Sequence, residues 1–394
     1  MLYVMNRFGR LTYQCQSNSK EITASQNQLE IEMRNIRVVT IFQCICFSLC
    51  LITSVALAQS EPYPITQEIK QLVINRAASI FQERHVIPEI GEEYAIALRQ
   101  NLASGTFDEV TTGREFMIAM DRILWPIDTD GHVWINFYSA DIPADYSGDF
   151  ENVPPEQTAE AETLAKRRNF GFEKVERLRG NIGYIDYRAF TDGNGSKDAL
   201  AAAMTFVQHT GALIIDLRQN GGGSPEIVTE FLSYFLEPAN ALISTFVDRV
   251  GAVTGEYRVS DELLGPMYGE TRPVFVLNSR NTYSGAEAFG YTLQVRDRAR
   301  IVGEKTRGGA RPNYTYRVHP RFMVAVPVWQ SVDSVTNSNY EETGIIPDYE
   351  MPSEESFSFA YRTALEELIA NAVDEPAKRE MESVLRELSG SQEN

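Results

Sequence analysis

The chain has 394 residues, room for two or three domains and a sizeable core, and its 43% hydrophobic and 23% charged content is that of a globular protein. A formal charge of −18 argues against nucleic acid and against anionic membrane surfaces as partners. It says nothing about fold.

Residues 1–32 are polar and patternless. A short basic stretch, Met33-Arg34-Asn35-Ile36-Arg37, then leads into an apolar run that ends in Ala56-Leu57-Ala58. Basic start, apolar middle and small-x-small end are the grammar of a secretory signal over 33–58. The run is also near the roughly 20 residues that span a bilayer, so a retained anchor is the alternative. A signal belongs at the start of a chain, and residues 1–32 are therefore expected to be an over-extended start. Cys15, Cys44, Cys46 and Cys50 all precede Ala58. Cleavage would leave no cysteine for a disulfide, a nucleophile or a metal site. The expected location is exported, periplasmic or extracellular, with no need of a membrane afterwards.

Residues 64–125 read as three short amphipathic helices, a small bundle within an N-terminal region of 59–139. Thr66 can cap the first, where Ile69, Leu72, Val73, Ala77, Ile80 and Phe81 recur at helical spacing. Gly105 closes the second. Thr112-Gly113-Arg114-Glu115 is a capping-box pattern before the third. Residues 140–174 are acidic, with proline and glycine early on, and read as a connector with one helix. From Val175 strands alternate with helices. Gly211–Arg218 is apolar on both faces, which marks a central, buried strand, and Arg272–Asn278 reads as another buried strand. The alternation predicts an α/β layer core over 175–352 with right-handed crossovers. Residues 314–329 read as two strands around a turn near Pro320, and 353–394 as C-terminal helices.

Four stretches could carry chemistry. Ser284 follows a buried strand and begins a helix, where free N–H groups and the positive dipole end could support an oxyanion; the plain alternative is a helix N-cap. Gly221-Gly222-Gly223 follow another buried strand. They match neither dinucleotide nor P-loop spacing, and suit an oxyanion hole or simply a tight turn. His132, in a polar turn before a strand, is better placed as a base than His85, His209 or His319. Glu341 and Glu342 precede a glycine and a short apolar run, and one of them could orient an imidazole. Asp216 and Arg218 could brace the strand end. No spacing suggests a metal site, and no cofactor is expected.

In order, "DGHV", "NIGYIDY", "LIIDLRQNGGG", "NSRNTYSGAEAF", "IVGEKTRGGARP" and "EETGIIPD" resemble the C-terminal processing peptidase superfamily of serine peptidases, also called tail-specific proteases. The likeness is greatest to the branch of interphotoreceptor retinoid-binding protein modules and the tricorn protease core. It covers roughly residues 64–352 and implies a crotonase/Clp-protease-like ββα core. One style in this superfamily pairs its serine with a lysine in a G-E-x-T-x-G-K-G stretch. Here that position is Gly309, and Lys305 is not its equivalent. The other style uses histidine and glutamate, which the resemblance places at His132 and Glu341, with Glu342 one residue away. The serine that precedes the histidine in tricorn-like enzymes is Gly131 here. The interval from His132 to Asn181 is too short for a PDZ domain, and none is expected.

The resemblance thus implies a secreted or periplasmic serine endopeptidase acting on peptides or proteins through an acyl-enzyme on Ser284. His132 would be the base and Glu341 its orienting partner. The N–H of Gly285, with that of Gly222 or Gly223, would bind the oxyanion. The alternative is a non-catalytic carrier of retinoid-like or other hydrophobic ligands. A crotonase-type acyl-CoA enzyme is a remote third reading, since export removes the chain from coenzyme A.

Overall fold

The computed structural model describes residues 63–128, 131–144, 146 and 155–390. The expected over-extended start and signal, with all four cysteines, lie outside the described residues. From Tyr63 onward the chain packs as one unit.

The first helices span Gln67–Arg84, Pro88–Ala103 and Gly113–Leu124. Thr66 caps the first through a bond from Ile69 N, and Thr112 with Glu115 forms the anticipated capping box of the third. The first two helices pack closely on each other, but the core is not closed by helices alone. Their apolar faces share a core with Ile135, Val318, Phe322, Val324 and Val326, which belong to a three-stranded antiparallel sheet. Its strands are β1 (Trp134–Phe137), β9 (Asn313–His319) and β10 (Phe322–Pro327), in the order β1-β10-β9. β9 and β10 are the hairpin expected around Pro320. An amphipathic helix shows that an apolar partner exists, not which one, and the partner lies far along the chain.

Among the described residues the expected acidic connector holds the α-helix Pro155–Arg167 and a 3-10 turn Asn169–Gly171, and yields to β2 (Phe172–Leu178) three residues before Val175. β2 opens a six-stranded sheet with β3 (Ile182–Tyr187), β4 (Ala212–Asp216), β7 (Val274–Asn278), β8 (Arg300–Gly303) and β12 (Tyr349–Glu350). The order is β12-β8-β7-β4-β3-β2. β2 pairs with β3 antiparallel, and the remaining pairs are parallel. Ile185, Ile215, Val276 and Ile301 stand in register across four strands.

Both faces of this sheet are covered, which is why its central strands carry no polar alternation. Leu213, Ile215, Val274 and Val276 face a core shared with the helices Ser196–Val207, Pro225–Leu232 and Gly285–Gln294. Ile214, Phe275 and Leu277 face the other way, against the C-terminal helices Ser353–Ala370 and Glu375–Gly390. Asp216 and Arg218 do brace the end of β4: the carboxylate accepts from Tyr184 Oη (2.8 Å) and Arg218 Nε (2.9 Å), and Arg218 Nη1 donates to Ser353 O.

A third sheet escaped the sequence reading. β5 (Leu242–Val247), β6 (Val253–Arg258) and β11 (Gln330–Asp333) pair antiparallel in the order β11-β5-β6. Its residues are mostly half-buried or exposed, so hydrophobic periodicity is weak there.

Phe289, fully buried on the helix that follows Ser284, packs among Phe190, Phe231 and Phe235. Phe289→Ala is expected to cost about 3–5 kcal/mol of stability, read as a lowered urea midpoint without loss of native far-UV circular dichroism at zero denaturant.

Candidate active site

Three loops meet at the carboxyl ends of β4, β7 and β8, the customary ligand edge of a parallel sheet. The loop after β7 is strapped to the exit of β4. Ser279 Oγ donates to Arg218 O (2.6 Å), Thr282 Oγ1 to Leu217 O (2.8 Å) and Tyr283 N to Asn220 O (3.1 Å). The chain then turns sharply into the helix at Ser284, whose φ of 54° and ψ of −121° are rare for a residue with a side chain. Such a backbone costs about 1–3 kcal/mol and persists only where its surroundings impose it.

Glu287 imposes it. This fully buried carboxylate accepts from Ser284 N (2.9 Å), Thr306 Oγ1 (2.5 Å), Gly308 N (2.7 Å) and Gly309 N (3.0 Å). Burial pushes its pKa above the ordinary carboxyl range, against the pull of the four donors.

The glycine loop after β4 lies beside the serine. A Cβ on Gly222, at φ 103°, would sit 2.8 Å from both Ser284 Cβ and Gly285 N. The Gly222 N–H is held by Asn220 Oδ1 at 2.8 Å, while Asn220 Nδ2 donates to Tyr187 O. The neighbouring alternative, Gly223, abuts Gly285, where a Cβ would lie 3.2 Å from Gly223 N.

His132 arrives from the other sheet, two residues before β1, with its carbonyl bonded by Asn313 Nδ2 at 2.6 Å. Its Nε2 is 2.9 Å from Ser284 Oγ, across 152 residues of sequence. The serine hydroxyl is thus paired with an imidazole. At Nδ1 stands the hydroxyl of Tyr283, at 3.1 Å, with the phenol ring stacked on the imidazole at a centroid distance of 4.9 Å. The sequence reading passed over Tyr283, which looks like one more aromatic at a helix start.

Glu341 and Glu342 part company. Glu341, nearly buried, accepts from Ala310 N and lies 3.5 Å from Arg311 Nη1; Glu342 is solvent-facing and reaches Arg311 Nη2 at 3.0 Å. Arg311 also binds Asp128 at 2.8 Å. Glu341 thus holds the Ala310 backbone and the Arg311 side chain, and the hydroxyl at Nδ1 is one that had not been expected. Lys305 is exposed. A side chain at Gly309 would overlap the Tyr283 ring, so the lysine position is closed by sterics as well as by sequence. Among the described residues no cluster of His, Cys, Asp and Glu could hold a metal.

The mixed α/β core thus presents a serine at a strained strand-to-helix turn, against a histidine. The family model described as Peptidase family S41 matches residues 181–351. That stretch contains Ser284, Glu341 and the glycine loop, but not His132. The chain is 26% identical over 186 residues to a carboxyl-terminal-processing protease of Picosynechococcus sp., covering 46% of this chain and 42% of that protein. It is 24% identical over 171 residues to carboxyl-terminal-processing peptidase 2, chloroplastic, of Arabidopsis thaliana, covering 43% and 32%. Among solved structures, the photosystem II D1 C-terminal processing protease aligns with a TM-score of 0.47 and 15% identity, over 74% of this chain and 94% of that one. The tricorn protease aligns at 0.45 and 11%, over 82% and 37%. The resemblance to the C-terminal processing peptidase superfamily is borne out over the α/β core. The chain spans about two fifths or less of the length of the curated relatives it matches.

Glu287→Gln keeps the shape but presents an amide N–H2 to backbone donors, so at least one loses its acceptor, at a cost of about 1–3 kcal/mol. The raised carboxyl makes the folded chain take up a proton before the unfolded chain, whose value is near 4.5. Wild type therefore gains stability over the non-titrating variant as pH falls from the folded value toward 4.5. Urea unfolding of both proteins between pH 7 and 4.5 should show the gap widening.

Proposed function

We propose that this chain is an exported serine endopeptidase with Ser284 as nucleophile and His132 as general base. The observation that carries the reading is the 2.9 Å approach of His132 Nε2 to Ser284 Oγ. A helix-capping serine needs no imidazole; a nucleophilic one needs a base within hydrogen-bond reach. Strain concentrated at that serine and the match to Peptidase family S41 support the same choice over the ligand-carrier alternative.

In the proposed reaction Ser284 Oγ attacks the peptide carbonyl carbon as its proton passes to His132 Nε2. The carbonyl oxygen becomes an oxyanion, for which the N–H groups of Gly285 and Gly223 are the candidate donors; Gly222 N–H is already committed to Asn220. The imidazolium returns its proton to the departing amine, leaving an acyl-enzyme. Water, deprotonated by the same imidazole, then releases the acid and restores the serine. Glu341 is assigned a positioning role, fixing Ala310 beside the Gly309 that packs on Tyr283. No metal or cofactor has a part in this scheme. Substrates are peptides or proteins, and no PDZ capture of their ends is invoked. Export rests on the signal grammar of residues 33–58. Among the described residues no helix is long and apolar enough to cross a membrane.

A fluorophosphonate probe should label the wild type at Ser284, and denatured casein should be cleaved. Ser284→Ala should lose both. His132→Ala should lower kcat by about 100- to 10,000-fold. Gly222→Ala should also inactivate, because its Cβ displaces the serine. A folded wild type that is neither labelled nor active would sink the proposal.

A further inference from the structure

We infer that Tyr283 is the positioning residue of the imidazole: its hydroxyl accepts the Nδ1 proton of His132 and so fixes the tautomer that leaves Nε2 open to Ser284. The inference rests on the peptidase reading for its catalytic meaning, and on geometry alone for its structural part.

The proton count forces the tautomer. A base that takes the proton of Ser284 Oγ must present a bare Nε2, and a neutral imidazole then carries its one proton on Nδ1. The atom facing Nδ1 at 3.1 Å is Tyr283 Oη. When Nε2 becomes protonated the ring is cationic, and the Nδ1–H to Oη bond strengthens as a charge-assisted bond. The phenol keeps its own proton throughout, and no covalent bond to it changes.

The surroundings are shaped to this ring. A Cβ on Gly131 would lie 3.1 Å from Tyr283 Oη and 2.9 Å from Arg307 Nη2, and a Cβ on Gly309 would run into the ring itself. Two glycines, one beside the histidine and one in the loop after β8, thus leave the volume the phenol fills. The Arg307 guanidinium lies 4.5 Å from the ring centroid, and Tyr283 N is tied to Asn220 O. Among the described residues, the charged groups near the pair include Arg307 on the phenol and Glu287 behind the Ser284 N–H, with Glu341, Arg311 and Asp128 beyond Gly309. Gly131 and the hydroxyl of Tyr283 are mutually dependent, because any side chain at 131 competes for the space of that hydroxyl.

The test uses Tyr283→Phe, which keeps the stacked ring and removes only the hydroxyl, and Gly131→Ala, which crowds it. Nitrogen-15 NMR of the histidine rings, with His132 assigned from His132→Ala, should show the Nδ1-protonated tautomer in wild type. In Tyr283→Phe that preference should be lost, because the acceptor for the Nδ1 proton is gone. In parallel, kcat should drop about 10- to 100-fold with KM unchanged. Gly131→Ala should act in the same direction, and the double variant should be no worse than either single one. A wild-type His132 protonated on Nε2, or a tautomer indifferent to Tyr283→Phe, overturns the inference. If wild type is neither labelled nor active, the peptidase reading falls by itself, and the NMR outcome still decides the role of Tyr283.

Discussion

Everything at this site is organised around one buried carboxylate. Glu287 has no access to water and is surrounded by donors from two loops. Desolvation makes the charge costly, and each donor offsets part of that cost. The result is a constraint on geometry: Ser284 N, Gly308 N and Gly309 N must all point at the same two oxygens. The turn at Ser284 has no freedom to relax, and the loop after β8 cannot drift from it. Thr306 carries the constraint one step further, since its hydroxyl binds Glu287 and accepts from Ile345 N at 2.7 Å. The segment that bears Glu341 is thereby referred to the same point.

The histidine comes from a different packing unit. β1 pairs with β10 through Ile135 and Val324, and those residues are buried against the first three helices. Their core is separate from the two that sandwich the large sheet. What joins them at the site is polar: Asn313 on the His132 carbonyl, the nearly buried Arg311 on Asp128 and Glu341, and the phenol on the imidazole. A buried arginine held by carboxylates is stable only when its partners stay in place. The position of the histidine relative to the serine is therefore set by directional bonds and by shape, not by a shared hydrophobic core.

This division explains what could be read in the sequence. Strands such as Ala212–Asp216 and Val274–Asn278 announce themselves by being apolar throughout, because both faces are covered. Ser284 is legible as a junction between such a strand and a helix, and His132 emerges by comparison with three other histidines. The partner of the N-terminal helices is not legible, because amphipathicity is mute about what lies opposite. The β5–β6 pair is hidden by its own exposure. The fate of the Gly222 N–H is also invisible, since whether the Asn220 side chain turns back on it depends on the Tyr187 carbonyl that anchors its other end.

Gly131 and Gly309 show the limit most sharply. Against the family pattern each reads as a loss, a missing serine in one place and a missing lysine in the other. In the fold they are one feature, because both face the Tyr283 ring. A lysine at 309 could not coexist with that ring, and a serine at 131 would compete with its hydroxyl. Three positions that look independent in the sequence are coupled through the volume of a single side chain. A chain that keeps tyrosine at 283 must keep small residues at the other two.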